Sequence, residues 1–182
     1  MLQLSDREWK EFTFRDLFIV KRGESLYKQY MENGDIPYIS ASSSNNGISA
    51  YTKNANRNGN MLSLAYDGSV GSVFYQASNW FASEKIVSIE LKDRPFNREL
   101  ALFFARAIEH QKTKYNYGYK WSVGIRMMRG KIRIPVTEDG QPDYDFMEAF
   151  IKEREEIKRK EYLEYANRKI MEIPGGYNPN RH

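Results

Sequence analysis

Apolar residues recur at helical spacing between Asn97 and about His110. Leu100, Phe103, Phe104, Ala107 and Ile108 stand at i, i+3, i+4, i+7 and i+8, which places them on one face of a helix. Asn97 precedes this run, and its side chain is a favoured N-cap. The pattern predicts a helix that packs on the core.

A second helical pattern begins at Asp143 or Asp145, either of which can cap it. Its apolar positions are dense at first and then thin out, and its far half is dominated by charge, with acidic and basic residues four apart. A helix of roughly 40 Å, at ~1.5 Å per residue, exceeds the width of a small domain, so part of it is expected to project. A solvated helix is the ordinary explanation. We favour a partner-binding or dimerising spacer, because Ile157, Leu163 and Ile170 still need cover.

Shorter apolar runs predict strands. The segments from Trp9 to Gly23 predict a strand, a short turn or helix around Asp16, and a second strand. Further strands are predicted at 37–40, 61–66, 70–76, 85–91 and 132–136, with the pair 61–66 and 70–76 forming a hairpin. The fold class predicted is α+β: a twisted, mainly antiparallel sheet with a packed helix, followed by a long projecting C-terminal helix.

The segment from Ser40 to Asn60 is rich in serine, asparagine and glycine, and it predicts a loop. Asn45 and Asn46 could pair with adenine edges, and Lys53 or Arg57 could contact guanine or phosphate. A solvated loop without a ligand explains the same composition equally well.

The stretch from Lys112 to Arg133 contains no carboxylate and concentrates basic and aromatic side chains. If residues 115–121 are extended, tyrosines and Trp121 share one face and polar residues share the other. A strand with a solvated basic edge is the plain interpretation, but the whole cluster favours a surface for nucleic acid. The candidate DNA contacts here are Lys112, Lys114, Tyr117, Lys120, Arg126 and Arg129.

Composition narrows the function classes. The chain has 182 residues, a net charge of +4 and no cysteine, which excludes disulfides and thiolate metal sites. It has no signal-peptide pattern and no run long enough to span a bilayer, so a cytoplasmic location is expected. No cofactor-binding glycine loop and no metal-ligand cluster is found. One enzymatic alternative is a Mg²⁺-dependent nuclease that uses Asp67, Glu90 and Lys92. Another alternative is a protein-binding adaptor.

Several segments, taken in order, resemble the target-recognition domain of type I restriction-modification specificity subunits and of related methylase-linked type II systems. The matching pieces are Trp9, Phe12, Leu17-Phe18, Gly23, IPYIS at 36–40, NNGI at 45–48, DGSVG at 67–71, ASEKIV at 82–87, LALFFARAI at 100–108, YGYKWS at 117–122, and IRIPV at 132–136 with DGQPDYDFMEAFI up to 151.

The resemblance implies a non-catalytic domain that reads one half of a split double-stranded DNA target. It also implies a helix that helps to hold an adenine methyltransferase subunit, with a restriction subunit as a further candidate partner. Residues 1–142 would form the recognition domain, 143–171 the spacer helix and 172–182 a flexible tail. Full-length relatives have two such domains, whereas this chain resembles one. Two alternatives follow: a half-length subunit that forms a homodimer through the C-terminal helix and reads a symmetric target, which we expect, or a fragment of a longer chain.

Overall fold

The computed structural model describes residues 1–114, 121 and 123–172. Nine strands and four α-helices follow each other in the described part, with short 3-10 turns between some of them: β1 (Glu8–Thr13), α1 (Phe14–Leu17), β2 (Phe18–Arg22), β3 (Ile36–Ile39), β4 (Ile48–Thr52), β5 (Met61–Ala65), β6 (Val73–Gln76), β7 (Phe81–Ala82), β8 (Ile86–Leu91), α2 (Arg98–Glu109), α3 (Ile125–Met128), β9 (Lys131–Val136) and α4 (Tyr144–Met171). The predicted mixed fold with a long C-terminal helix is confirmed.

The turn from β1 into β2 is fixed by a capping box. Thr13 Oγ1 accepts a hydrogen bond from the Asp16 amide at 3.2 Å, and Asp16 Oδ2 accepts one from the Thr13 amide at 2.8 Å. The hydrogen bonds from Thr13 lower the pKa of the Asp16 carboxyl. Phe14 and Phe18 on either side are fully buried, so this short helix turns the chain while both of its ends enter the core.

The strands form three sheets instead of the single sheet expected. β1 pairs with β9, a four-stranded sheet has the order β2-β8-β5-β6, and a three-stranded sheet has the order β4-β3-β7. The pairings between the nine strands are antiparallel except for β3 with β7, which run parallel. The expectation of mainly antiparallel pairing is therefore confirmed.

One part of the loop prediction for 40–60 is wrong. Residues 48–52 form β4, which pairs with β3 and alternates between covered and exposed positions. The strand could not be predicted from the local sequence, because its serine- and asparagine-rich composition favours a loop. Its hydrogen bonds come from pairing with β3.

Helix α2 lies on the sheet through its predicted apolar face. Its N-cap Asn97 accepts a hydrogen bond from the Leu100 amide at 2.9 Å. Leu100, Phe104 and Ile108 are buried in the main core, next to Leu62 and Leu64 of β5. A second, smaller core surrounds Trp80.

Helix α4 begins on the core and ends in solvent. Asp143 caps it by accepting from the Phe146 amide at 2.9 Å, and Tyr144 and Met147 in its first turn are buried. Burial and the neighbouring Asp93 carboxylate raise the pKa of Tyr144 to about 12. Arg98 of α2 pairs with Glu155 at 2.6 Å. From 158 to 171 the side chains are exposed apart from half-buried Ala166.

None of the helices in the described part of the chain combines the length and apolar content needed to cross a membrane.

Candidate nucleic-acid interface

A tight loop at 41–47 reverses the chain between β3 and β4. Asn45 and Asn46 have φ angles of 48° and 52°, and Gly47 has 78°. Asparagine and glycine are the residues that tolerate this left-handed backbone, which explains the Asn-Asn-Gly sequence. The Asn45 side-chain amide donates to the Ile48 carbonyl at 3.1 Å. The loop therefore owes its shape to the asparagines that were predicted as DNA contacts.

Asn46 also holds the loop to β6. Its Nδ2 donates to the Tyr75 carbonyl and to Gln76 Oε1, both at 3.2 Å. Gln76 is only 4% exposed, and its Nε2 donates back to the Asn46 carbonyl at 3.1 Å and to Ser63 Oγ at 3.0 Å. A buried amide is costly unless it is hydrogen-bonded, so this network fixes the loop in one position on the sheet.

The β5–β6 turn, residues 67–71, lies beside that loop. Gly68 has a φ of 78°, and a Cβ there would stand 2.9 Å from Cβ of Ala41. Gly71 has a φ of 80°, and a Cβ there would stand 3.0 Å from Cγ of Lys112. The two glycines thus let the loop and the stem of Lys112 approach the same turn closely.

Arg22, at the end of β2, connects this region to the basic stretch. Its guanidinium donates to the Val123 carbonyl at 3.0 Å and stands 5.8 Å from the centre of the Tyr66 ring. Arg126 lies three residues beyond Val123 and is exposed. We call the surface formed by residues 41–47, 66–71 and 123–126 with Arg22 and Lys112 the loop face. It brings together Asn45, Asn46 and Lys112, which are 67 residues apart at the extremes of the sequence, and Arg126 follows three residues after the Val123 that Arg22 contacts.

Arg129 is exposed at the end of α3, where the next residue, Gly130, accepts a hydrogen bond from the Phe14 amide at 2.8 Å. The backbone beside Arg129 therefore lies against the start of α1. Lys114 is described in its backbone alone, and Tyr117 and Lys120 lie outside the described residues. Trp121 is fully buried, with its ring 5.6 Å from that of Phe14.

Lys53 and Arg57, which were also predicted as DNA contacts, do not belong to the loop face. Lys53 pairs with Glu32 at 2.9 Å beyond the far end of β4, roughly 16 Å along the strand from Ile48 at ~3.3 Å per residue. The Arg57 side chain is only 10% exposed, and it donates to Ser88 Oγ at 3.0 Å and to the Arg22 carbonyl. Its guanidinium thus joins β2 to β8, which is a structural role that the sequence did not indicate.

Two residues of this region were missed by sequence reasoning. Arg22 is a basic residue at a strand end next to a glycine, a signal that could have been noticed in Lys21-Arg22-Gly23. Gln76 carries no such signal, because its role depends on a loop 30 residues away in the sequence.

The family model of the type I restriction modification DNA specificity domain matches residues 6–165. The chain belongs to this family.

Relatives of the specificity domain are found among curated proteins. The specificity subunit S.BcgI of a type II restriction enzyme from Heyndrickxia coagulans is 39% identical over 150 residues, which are 81% of this chain and 44% of that protein. A putative type I specificity subunit of Mycoplasma pneumoniae, S.MpnORF507P, is 21% identical over 167 residues, which are 87% of this chain and 46% of the relative. The chain thus spans about half the length of the curated relatives it matches.

Solved structures share the fold. The S subunit of a type I restriction-modification system from M. genitalium superposes with a TM-score of 0.60 at 19% identity, over 87% of this chain and 42% of that one. The HsdS subunit from Thermoanaerobacter tengcongensis superposes with a TM-score of 0.55 at 10% identity, over 81% of this chain and 37% of that one.

The nuclease alternative gains no support from the specificity-domain structure. Ala65 pairs with Ile86, so Asp67 lies near the start of β8, whereas Glu90 lies roughly 13 Å along that strand at ~3.3 Å per residue. Glu90 accepts a bond from Lys21 at 3.3 Å. Lys92 donates to the Arg15 carbonyl. The described residues include no group of three or more His, Cys, Asp or Glu side chains that could hold a metal ion.

The three apolar residues predicted to bind a partner do not share one face of α4. Ile157 is half-buried, whereas Leu163 and Ile170 are 53% and 49% exposed. At ~100° per residue Leu163 and Ile170 lie within about 20° of each other, but Ile157 is displaced by about 120° from Leu163. The helix thus offers apolar groups on two sides.

Proposed function

We propose that this specificity domain binds double-stranded DNA and reads one half of a bipartite target through the loop face. The observation that carries the proposal is the family match over residues 6–165, together with the meeting of loop 41–47, turn 67–71 and Lys112 on one surface. These elements come from distant parts of the chain. Gly68 packs closely against Ala41 and Gly71 against Lys112, so the elements are fixed relative to each other.

Two kinds of contact follow from the chemistry of that surface. The cationic groups of Lys112 and Arg126 would neutralise phosphates, which gives affinity without sequence preference. Serines 42–44 and Asn45 of the loop would present hydroxyl and amide groups to base edges, which gives sequence preference. Arg129, Lys114, Tyr117 and Lys120 stay predicted contacts of the same stretch.

The proposal includes partners, because a domain that specifies a DNA sequence needs an enzyme to act on that DNA. We place an adenine methyltransferase subunit, with a restriction subunit as a second partner, on the domain and on helix α4. The division into a recognition domain at 1–142 and a spacer at 143–171, and a location in the cytoplasm, are parts of this proposal.

A homodimer through α4 would supply the second half of the target. The chain covers 44% of the S.BcgI sequence, so two copies would provide about the number of recognition domains that the longer relative has room for. Two identical domains related by a two-fold axis would read a symmetric target. Leu163 and Ile170 are the exposed groups that such an association would cover first.

The experiment is a selection from a random duplex library by the purified chain, followed by sequencing of the bound duplexes. We expect enrichment of one short half-site, repeated in inverted orientation at a fixed distance when the chain is dimeric. Binding of all duplexes with equal affinity, with or without a methyltransferase subunit, would overturn the assignment. The same selection with Lys53→Ala, which alters a cation far from the loop face, provides the matched control.

A further inference from the structure

The guanidinium of Arg22 is held by contacts on its edge and on its face. It donates to the Val123 carbonyl at 3.0 Å, and it stands 5.8 Å from the centre of the Tyr66 ring. The ring is itself fixed, because the Tyr66 hydroxyl donates to the Glu84 carbonyl. A cation beside an aromatic ring, with a carbonyl on one edge, has few orientations open to it.

The backbone of Arg22 is fixed as well. Arg22 is the last residue of β2 and lies opposite Val87 of β8. Its carbonyl accepts a hydrogen bond from the nearly buried Arg57, and the following amide, of Gly23, donates to the Ile86 carbonyl at 2.8 Å. Because both ends of this long side chain are anchored, a ligand that binds it removes little conformational entropy.

The Arg22 side chain still has donors for a ligand. A guanidinium carries several N–H groups in one plane, and the contact with Val123 occupies one of its nitrogens. Lys21, the preceding residue, uses its charge inside the protein by pairing with Glu90 at 3.3 Å. Arg22 is exposed and forms no such ion pair with any carboxylate that the structure describes. Its remaining N–H groups are therefore available at the surface.

These N–H groups lie at the polar part of the loop face. Tyr66, which the guanidinium contacts, begins the turn 66–71, and this turn packs against loop 41–47 where Gly68 meets Ala41. Lys112 reaches the same turn at Gly71. Two cations of different chemistry therefore meet one turn, one at its start and the other at its end.

The fixed guanidinium and the lysine suit different parts of a duplex. Guanine presents its O6 and N7 acceptors side by side in the major groove, and the planar fork of an arginine matches that pair. A phosphate requires only positive charge, which a lysine supplies as a compact ammonium group. We infer that Arg22 is a base-reading residue that contacts a guanine of the half-site. This inference rests on the proposed function and adds to it the base and the side chain that selects that base.

Two substitutions at Arg22 separate base reading from charge, since Arg22→Lys keeps the charge and loses the planar fork. We expect the duplex selection to give a half-site with a required guanine for the unaltered chain. Arg22→Ala should accept any base at that position, and Arg22→Lys should discriminate roughly tenfold less than the unaltered chain, with the other positions unchanged. Lys21→Ala alters the neighbouring cation on the opposite face of β2, so it is the matched control and should keep the guanine.

Replacing that guanine by 7-deazaguanine tests for a direct contact. The analogue lacks the N7 acceptor and keeps its base pairing, so binding of the unaltered chain should weaken roughly tenfold in fluorescence anisotropy. Binding of Arg22→Ala should be the same to both duplexes, because the contact is already absent from the variant. If Arg22 served only to hold residues 123–126 in place, the variant would be as sensitive to the analogue as the unaltered chain, and the inference would be wrong.

The outcomes distinguish this inference from the proposed function. A half-site without guanine, or one that stays the same in both Arg22 variants, overturns the base-reading role and leaves DNA recognition by the loop face intact. Full recovery of the half-site by Arg22→Lys does the same, because it assigns Arg22 to a phosphate. Enrichment of no half-site by the unaltered chain overturns both. Circular dichroism checks that each variant is folded, and if Arg22→Ala does not fold, the comparison with 7-deazaguanine is made with Arg22→Lys, whose sensitivity to the analogue should be reduced.

Discussion

Asn46 and Gln76 hold each other through a reciprocal pair of hydrogen bonds. The Asn46 side-chain amide donates to Gln76 Oε1 at 3.2 Å, and Gln76 Nε2 donates to the Asn46 carbonyl at 3.1 Å. Gln76 is buried in the sheet, and Asn46 lies at the surface in a left-handed conformation. The two hydrogen bonds therefore fix the position of the loop relative to the sheet. Asn46 thus acts as a positioning residue for the groups beside it.

Replacing Gln76 should reduce sequence discrimination more than it reduces affinity for DNA in general. Gln76→Ala leaves buried polar groups of Ser63 and Asn46 without this partner, so we expect a free energy of unfolding that is lower by about 1–3 kcal/mol. Duplex selection should then return a broader half-site, while binding to random duplex at low salt is retained. Gln141→Ala, at an exposed turn position, is the control for stability. An unchanged half-site would show that the loop does not read bases.

The cations of the loop face should differ from Lys53 in their effect on salt dependence. Lys112→Ala removes a charge beside turn 67–71, so we expect weaker binding and a slope of log K against log salt that is shallower by roughly 1. Lys53→Ala should leave the slope unchanged, because Lys53 pairs with Glu32 away from this surface. A titration of both variants by fluorescence anisotropy measures the slopes. Equal slopes in the two variants would contradict the loop-face assignment.

Arg57 should prove to be a stability residue. Its guanidinium is nearly buried and joins Ser88 of β8 to the end of β2, so Arg57→Ala is expected to lower the free energy of unfolding by about 3 kcal/mol. Urea denaturation measures the loss, with Lys53→Ala expected within about 0.5 kcal/mol of the unaltered chain. If Arg57→Ala is as stable as the unaltered chain but binds DNA more weakly, Arg57 is a DNA contact and not a stability residue.

Asp143 combines two roles that substitutions can separate. It caps α4 and also pairs with Arg7 at 2.7 Å. Asp143→Ala should lower the free energy of unfolding by about 1–2 kcal/mol through the lost cap, and more if the ion pair contributes. Asp143→Asn keeps a good cap and loses only the charge, so it should recover most of that stability. Equal losses in urea denaturation of the two variants would assign the effect to the ion pair alone.

Local patterns predicted α1, α2, α4 and most strands, but not α3, β4 or β7. The cap and apolar face of α2 are encoded within 12 consecutive residues, and its observed bounds, Arg98–Glu109, agree with the prediction. The capping box at Thr13 and Asp16 is encoded within four residues. Strand β4 was missed because its hydrogen bonds depend on β3, and the local composition of its segment favours a loop.

The surface roles could not be predicted in the same way. Lys53 and Arg57 look alike in the sequence as cations within a polar segment, yet one lies in a surface ion pair and the other is buried between strands. Burial and the identity of a hydrogen-bond partner depend on elements that are far apart in the chain, and a local window contains no information about them.

The sequence by itself determined the family, the fold class, the core helix and the long C-terminal helix, because propensities, caps and apolar spacing act over a few residues. The tertiary structure decided which polar residues face outward together. It brought Asn46 into hydrogen bonds with Gln76, the Lys112 side chain against Gly71, and the Arg57 guanidinium to the carbonyl of Arg22 in β2. The packing of distant segments decides which hydrogen-bond donors are used inside the protein and which remain at the surface.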